Sequence, residues 1–263
     1  MMLWMLVLPA VITLGNLEPT ARLEASGFAP VAAVTGAEAL FGNPAALPDA
    51  SPLSLVGGYQ GWYEVGDLRT LQMGAAFGRR RWAVGVGGWQ KAVSGIYAET
   101  HLLAAAAVRF RRVQFGLRTR WFQVSARDSG ETWAGGTPVL DAGVLAHWGD
   151  ASIGLHLENL GGARVRLIQA SEPLARRTVL ALAWHLPRNV TWSAAYVNWN
   201  GYALYRVGVE AWFTRGFALR IGVDEKYLTL GMGLTNGHWS FDFSGRNVFP
   251  MGAVYAVSVG YRL

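Results

Sequence analysis

The sequence has no cysteine, which removes a disulfide framework, a thiolate metal site and a cysteine nucleophile from consideration. Charge is scarce as well: only 15% of the 263 residues are Asp, Glu, Lys or Arg, well below the share usual in soluble domains. Lysine is represented by Lys91 and Lys226 alone, so the formal charge of +6 is carried by arginine. The arginines are scattered over turns and strand positions, without the basic helix or single cluster that nucleic-acid binding requires, and nucleic acid is set aside as a partner. Long apolar runs are missing too. After the N-terminus no stretch reaches the ~18 uncharged apolar residues of a spanning helix.

Yet 52% of the residues are hydrophobic. Apolar composition without spanning helices leaves a lipid-facing β-barrel, in which apolar residues are diluted one-to-one with lumen residues. The 33 glycines and 12 tryptophans fit this reading, since small inward residues relieve crowding and Trp favours membrane interfaces. Residues 1–15, with the apolar run Leu3 to Leu14, read as an export signal, although no basic residue precedes the run. Residues 16–52 lack strand alternation and read as a lead-in that plugs the barrel mouth, and 53–263 as the barrel. Within the lead-in, Asn43 is placed to cap a turn whose first position is Pro44, where a missing N–H costs nothing.

From Leu53 onward period-two runs recur. Short links at 78–81, 111–112, 149–150, 187–189, 214–216 and 236–237 alternate with links at 65–67, 91–97, 127–138, 161–174, 200–201, 224–226 and 247–251. Six short and seven other links join fourteen strands, predicting an all-β, antiparallel, up-and-down transmembrane barrel. Register tests the count, because a one-residue slip flips every side chain. The expected outward pairs are apolar: Leu186 with Val190, Trp184 with Trp192, Phe110 with Val113, Ala146 with Ile153, Phe77 with Trp82, Met73 with Val86, Leu234 with Trp239 and Met232 with Phe241. The last strand, ending in Val259, Tyr261 and Leu263, is expected to close the barrel against the first. The inward face carries the charge. Glu210 falls opposite Arg220 and Arg206 opposite Asp224, while Arg118, Arg120, Asp141, His147, His156, Glu158 and Asp242 also point inward. These groups read as a charge-paired ladder that fills a small lumen, with a polar conduction path as the alternative.

No enzyme emerges. His147 and Ser152 are expected as cross-strand neighbours, but Asp141 lies six residues from His147, roughly 20 Å along a strand and too far to orient the imidazole. The five histidines do not converge on a metal, and no phosphate-binding glycine loop is present. No catalytic residue, metal or cofactor is assigned.

The run Val31-Ala32-Ala33-Val34 followed by Gly36-Ala37-Glu38-Ala39-Leu40-Phe41-Gly42-Asn43-Pro44-Ala45-Ala46-Leu47 resembles the N-terminal signature shared by two groups of barrels. These are the FadL-type long-chain fatty acid transporters and the PorV/PorQ-type barrels associated with type IX secretion. Gly36, Asn43, Pro44 and Ala45 carry the signature. The resemblance implies a fourteen-stranded barrel of the bacterial outer membrane with the signature near its periplasmic mouth. The chain is shorter than a typical FadL-type transporter and lacks long surface loops, which favours an accessory of protein secretion or surface attachment with a protein partner. The alternatives are passive transport of small hydrophobic compounds and a purely structural barrel; in each case outer-membrane lipid is a partner.

Overall fold

In lipid every backbone N–H and C=O must be satisfied within the protein, and strands achieve this only by closing on themselves. The computed structural model describes residues 20–29, 32–49, 52–128, 131–167, 170–213, 216–224 and 227–263; the expected export signal lies outside them. Sixteen strands follow one another: β1 (Leu53–Trp62), β2 (Leu68–Arg79), β3 (Trp82–Val93), β4 (Tyr97–Phe110), β5 (Val113–Asp128), β6 (Glu131–Trp148), β7 (Ala151–Glu158), β8 (Arg164–Leu167), β9 (Ala170–Pro173), β10 (Arg177–Leu186), β11 (Val190–Trp199), β12 (Tyr202–Trp212), β13 (Phe217–Asp224), β14 (Tyr227–Thr235), β15 (Trp239–Val248) and β16 (Gly252–Arg262). Fourteen of them form a closed antiparallel barrel, and β8 and β9 pair only with each other. The seam joins β1 to β16 from Ser54 opposite Arg262 to Trp62 opposite Val254, so neither strand leaves an open edge.

Exposure is inverted relative to a soluble protein. Met73 is 71% exposed while Arg118 and Asp141 are 0% exposed. Leu102, Leu117, Ile153, Leu180, Leu230, Phe241 and Val257 are likewise exposed on the outward face. Such a surface is compatible with hydrocarbon rather than water. The tight turns and both barrel-strand ends of the seam lie on one rim, the longer links on the other. In bacterial barrels the short-turn rim faces the periplasm.

Four expectations need correction. The strands β2 and β3 pair down to Arg79 opposite Trp82, so the turn is Arg80-Arg81 alone; Phe77 opposes Val84 and Met73 opposes Gly88. At the last short turn Asn236 accepts the backbone N–H groups of His238 (3.3 Å) and Trp239 (2.9 Å) through its side-chain oxygen. The loop is therefore wider than a two-residue turn, and Leu234 opposes Phe241 and Met232 opposes Phe243. Both shifts are by two residues, so every side chain keeps its face while changing partner. The link expected at 127–138 is much shorter than that: β5 and β6 stay paired out to Asp128 opposite Glu131. Pro138 lies inside β6 because β7 pairs with β6 only from Ala142 onward. On that free edge the missing N–H of proline breaks no ladder bond. The link expected between 161 and 174 in turn contains the β8–β9 hairpin.

A positive charge in the middle of the outward face is expected to cost roughly 2 to 4 kcal/mol. Leu117→Arg, whose neighbours across the sheet are Ala106 and Ala142, should lower the urea midpoint of folding into phosphatidylcholine vesicles accordingly. Deletion of residues 252–263 should abolish the heat-modifiable folded band.

Candidate functional site

The lumen is occupied by the chain's own N-terminal segment. It begins with the short helix α1 (Ala21–Ala25), whose first turn is capped by the Thr20 hydroxyl, and continues through two 3-10 turns, Gly36–Phe41 and Pro44–Asp49. Nearly all its described residues are buried, from Leu23 to Leu47. The alternation that marks a strand is missing here because these residues are surrounded by barrel on all sides.

The Asn43-Pro44-Ala45 turn is seated in the wall. Asn43 Nδ2 donates to Val144 O (3.1 Å) on β6 and Leu155 O (3.3 Å) on β7, while Asn43 Oδ1 accepts the Ala45 N–H (3.0 Å). Two inward glycines make room: a Cβ on Gly143 would overlap Asn43 Oδ1, and one on Gly116 would overlap the backbone of Pro44 and Ala45. Gly36 opens the preceding turn with a positive φ of 72°. The Ala37 N–H beside it donates to Ser54 Oγ at 2.8 Å.

Above this turn lies a buried polar network. Asp141 accepts from Arg118 Nε (2.9 Å), from Arg120 Nε (2.7 Å) and Nη2 (3.1 Å), and from the Asn159 N–H (2.9 Å). Arg118 Nη1 also donates to Leu40 O (2.7 Å) and Gly42 O (2.9 Å) of the plug, and its Nη2 lies 3.0 Å from His156 Nε2. Glu158 pairs with Arg177 through Nε at 3.0 Å and lies 3.4 Å from His156 Nδ1. Asn159 Nδ2 donates to Leu174 O at 2.9 Å, and Asn159 Oδ1 accepts the Ala163 N–H at 2.7 Å. These two bonds clamp the loop carrying β8 and β9. Val165 and Leu174 of that loop pack on Phe122, Val124 and Val139, inward residues of β5 and β6, so the hairpin folds over the barrel mouth. A continuous hydrogen-bonded chain thus runs from the hairpin through Asn159, Asp141 and Arg118 to the plug.

The opposite wall holds α1. Arg206 pairs with Asp224 (2.7 Å) and Arg220 with Glu210 (2.6 Å), the two cross-strand pairs expected from the sequence, and Arg220 also reaches Asp242 (2.8 Å). Arg22 of α1 joins them through two hydrogen bonds to Glu210 of 3.0 and 2.9 Å, and the negative charge of Glu210 raises the Arg22 pKa against the opposing effect of burial. Glu24 accepts from Ser244 (2.9 Å) and Gln60 (3.2 Å) and lies 3.2 Å from Arg246 Nε. Phe28 sits between the guanidinium groups of Arg206 and Arg246, at 5.0 and 5.1 Å. The polar ladder is therefore shared with the plug rather than closed across the wall alone.

His147 and Ser152 are neighbours, with Nδ1 and Oγ 2.9 Å apart. The acid that sequence spacing withheld arrives from the plug: Asp49 Oδ2 is 3.2 Å from His147 Nε2. Asp49 also pairs with Arg109 and accepts from Gln114 at 2.9 Å. Ser152 is buried, so its hydroxyl is closed to a substrate, and the cluster fastens the end of the plug to the wall. Asp49, Glu24, Arg22 and Asn159 escaped the sequence reading. Their trace in it is the inward arginines with no acid directly across the strand pair: Arg109 finds Asp49 on the plug, and Arg246 lies beside both Glu24 of the plug and Asp224 of β13.

No protein-family model matches the chain, and no curated protein does. Solved structures do. The toluene transporter TbuX of Ralstonia pickettii superimposes with a TM-score of 0.68 at 12% identity, over 95% of this chain and 100% of the other. The monoaromatic hydrocarbon channel CymD gives 0.71 at 12% identity, over 94% and 98%. A FadL homologue of Pseudomonas aeruginosa gives 0.62 at 11%, over 95% and 100%. The chain thus has the fold of FadL-type barrels and, with its apolar exterior, is a protein of the bacterial outer membrane. These structures lend no support to the secretion-associated side of the resemblance.

Asp141→Ala leaves Arg118 and Arg120 buried without their acid and should cost about 3 to 5 kcal/mol. The measurement is the shift in urea midpoint in detergent micelles. Asn43→Ala should cost about 1 to 3 kcal/mol and speed maleimide labelling of a cysteine placed at the buried Ala39, while the folded barrel band persists.

Proposed function

We propose that this protein is a passive outer-membrane transporter of small hydrophobic compounds. The observation that carries the reading is an open apolar depression of about 1030 Å³ on the outward face of the wall between β12 and β16. Val209, Leu219, Ile221, Leu230, Met232 and Tyr255 line it, and Arg220 and Arg246 also contribute to its lining. A space of that size takes a small apolar molecule. The depression exists where Gly245 stands among larger outward residues, opposite Leu230 and Tyr255. Further support comes from the fold shared with a toluene transporter and a monoaromatic hydrocarbon channel. A plug held by many polar contacts but no covalent bond suits a route that is closed at rest.

Expression in cells with an intact lipopolysaccharide layer should raise the initial uptake rate of a monoaromatic hydrocarbon above that of cells lacking the protein. Gly245→Trp should remove the increase by filling the depression. A Cβ at that position meets nothing closer than Val254 O at 3.9 Å, so the barrel should fold unchanged. Equal uptake with and without the protein would overturn the reading.

A further inference from the structure

A second space lies on the outside of the barrel at the long-link rim, an open pocket of about 420 Å³ formed by the upper ends of β7, β10 and β11. Its walls include Leu157, Leu160, Arg176, Thr178, Asn198 and Asn200. The position in the wall is informative. The outward residues Leu155, Leu180 and Tyr196 form one row across these strands, and the next outward row toward the rim is Leu157, Thr178 and Asn198. The surface therefore changes from hydrocarbon to amide and hydroxyl within one step. Tyr196 and Tyr205 pack at 5.6 Å beside the boundary, as aromatic residues do at the headgroup level.

The polar groups are pre-oriented. Asn198 Oδ1 accepts the Gly201 N–H (3.1 Å) and Asn200 Oδ1 accepts the Arg176 N–H (2.9 Å), so both side-chain NH2 groups are left to donate. The Asn200 N–H returns a bond to Arg176 O at 3.1 Å. The Arg176 guanidinium is laid across Gly162, where a side chain would collide with it. Its neighbour Arg177 is matched by Glu158, whereas among the described residues no carboxylate pairs with Arg176. A cation, two amide donors and a hydroxyl are thus gathered at the top of an apolar wall, and the Glu158–Arg177 ion pair completes the lining.

We propose that this pocket holds the phosphate-bearing headgroup of an outer-leaflet lipid. Arg176 supplies a charge-assisted, fork-shaped contact to the phosphate, Asn198, Asn200 and Thr178 hydrogen-bond its remaining oxygens or the adjoining sugar, and the acyl chain runs down Leu180 and Leu155. A lipid is favoured over a free anion because Leu157 and Leu160 flank the cation and the pocket opens onto the apolar band. The inference depends on the barrel's place in the membrane and not on the transport reading.

The full chain in mild detergent, titrated with bisphosphorylated lipid A and followed by native mass spectrometry, tests it. One lipid should bind, and Arg176→Ala should weaken binding about tenfold, the loss of one charge-assisted contact, with partial recovery in Arg176→Lys. Asn198→Asp, which places a carboxylate in the pocket, should act like Arg176→Ala and serves as a second variant if that one fails to fold. Dephosphorylated lipid should bind the unmodified chain as weakly as lipid A binds Arg176→Ala. Equal affinity of wild type and variants, or of the two lipids, would overturn the proposal. So would displacement of lipid A by inorganic phosphate at equal concentration, which would mark a free-anion site.

Discussion

Everything in this molecule depends on the requirement that backbone hydrogen bonds be closed where water is absent. A sheet that ended at β1 or β16 would expose a row of N–H and C=O groups to hydrocarbon; the pairing of Leu55 with Tyr261 and Gly57 with Val259 removes it. Once the sheet is a cylinder, each strand has one face toward lipid and one toward the lumen, and a two-residue period in polarity follows without further instruction. The same closure creates an interior too wide for strand side chains alone, and the N-terminal segment takes up the remaining space.

How that segment is held explains why the lumen is both small-residue-rich and charged. Glycines let the plug backbone approach the wall, as Gly116 and Gly143 do around Pro44 and Asn43. Arginines and carboxylates then supply directional contacts. Burying such groups is costly unless each is paired, and here the pairs cross between wall and plug: Arg22 with Glu210, Arg246 with Glu24, Arg118 with the carbonyls of Leu40 and Gly42. An apolar plug would seal the lumen as well but with no fixed seat. The polar contacts give it one position, and because they are reversible they leave that position open to exchange. Asp141 sits at the junction, joined to the plug through Arg118 and to the β8–β9 loop through Asn159. The closures at the two ends of the barrel therefore share one carboxylate.

Particular residues show what could be read in advance. The outward apolar pairs Trp184 with Trp192 and Phe110 with Val113 were legible because a hairpin links residues close in sequence, and its register follows from turn length. Where Asn236 bent its own turn by side-chain bonds, register moved by two residues while facing survived. Pro138 misled because its tolerance depends on whether a neighbouring strand is present, which is not a local property. The pairs Arg206 with Asp224 and Glu210 with Arg220 were readable for the same reason as the hairpins, each lying across one tight connection.

By itself the sequence determined the class of fold, the number of barrel strands and the face of each side chain, since these rest on a two-residue period and on turns between neighbours. Tertiary structure alone decided which wall positions meet the plug, that Asp49 reaches His147, that a hairpin within one loop folds over the mouth, and that a depression opens beside Gly245. Those contacts join residues far apart along the chain, and no periodicity records them; they exist only once the cylinder has closed and its interior has a shape to fill.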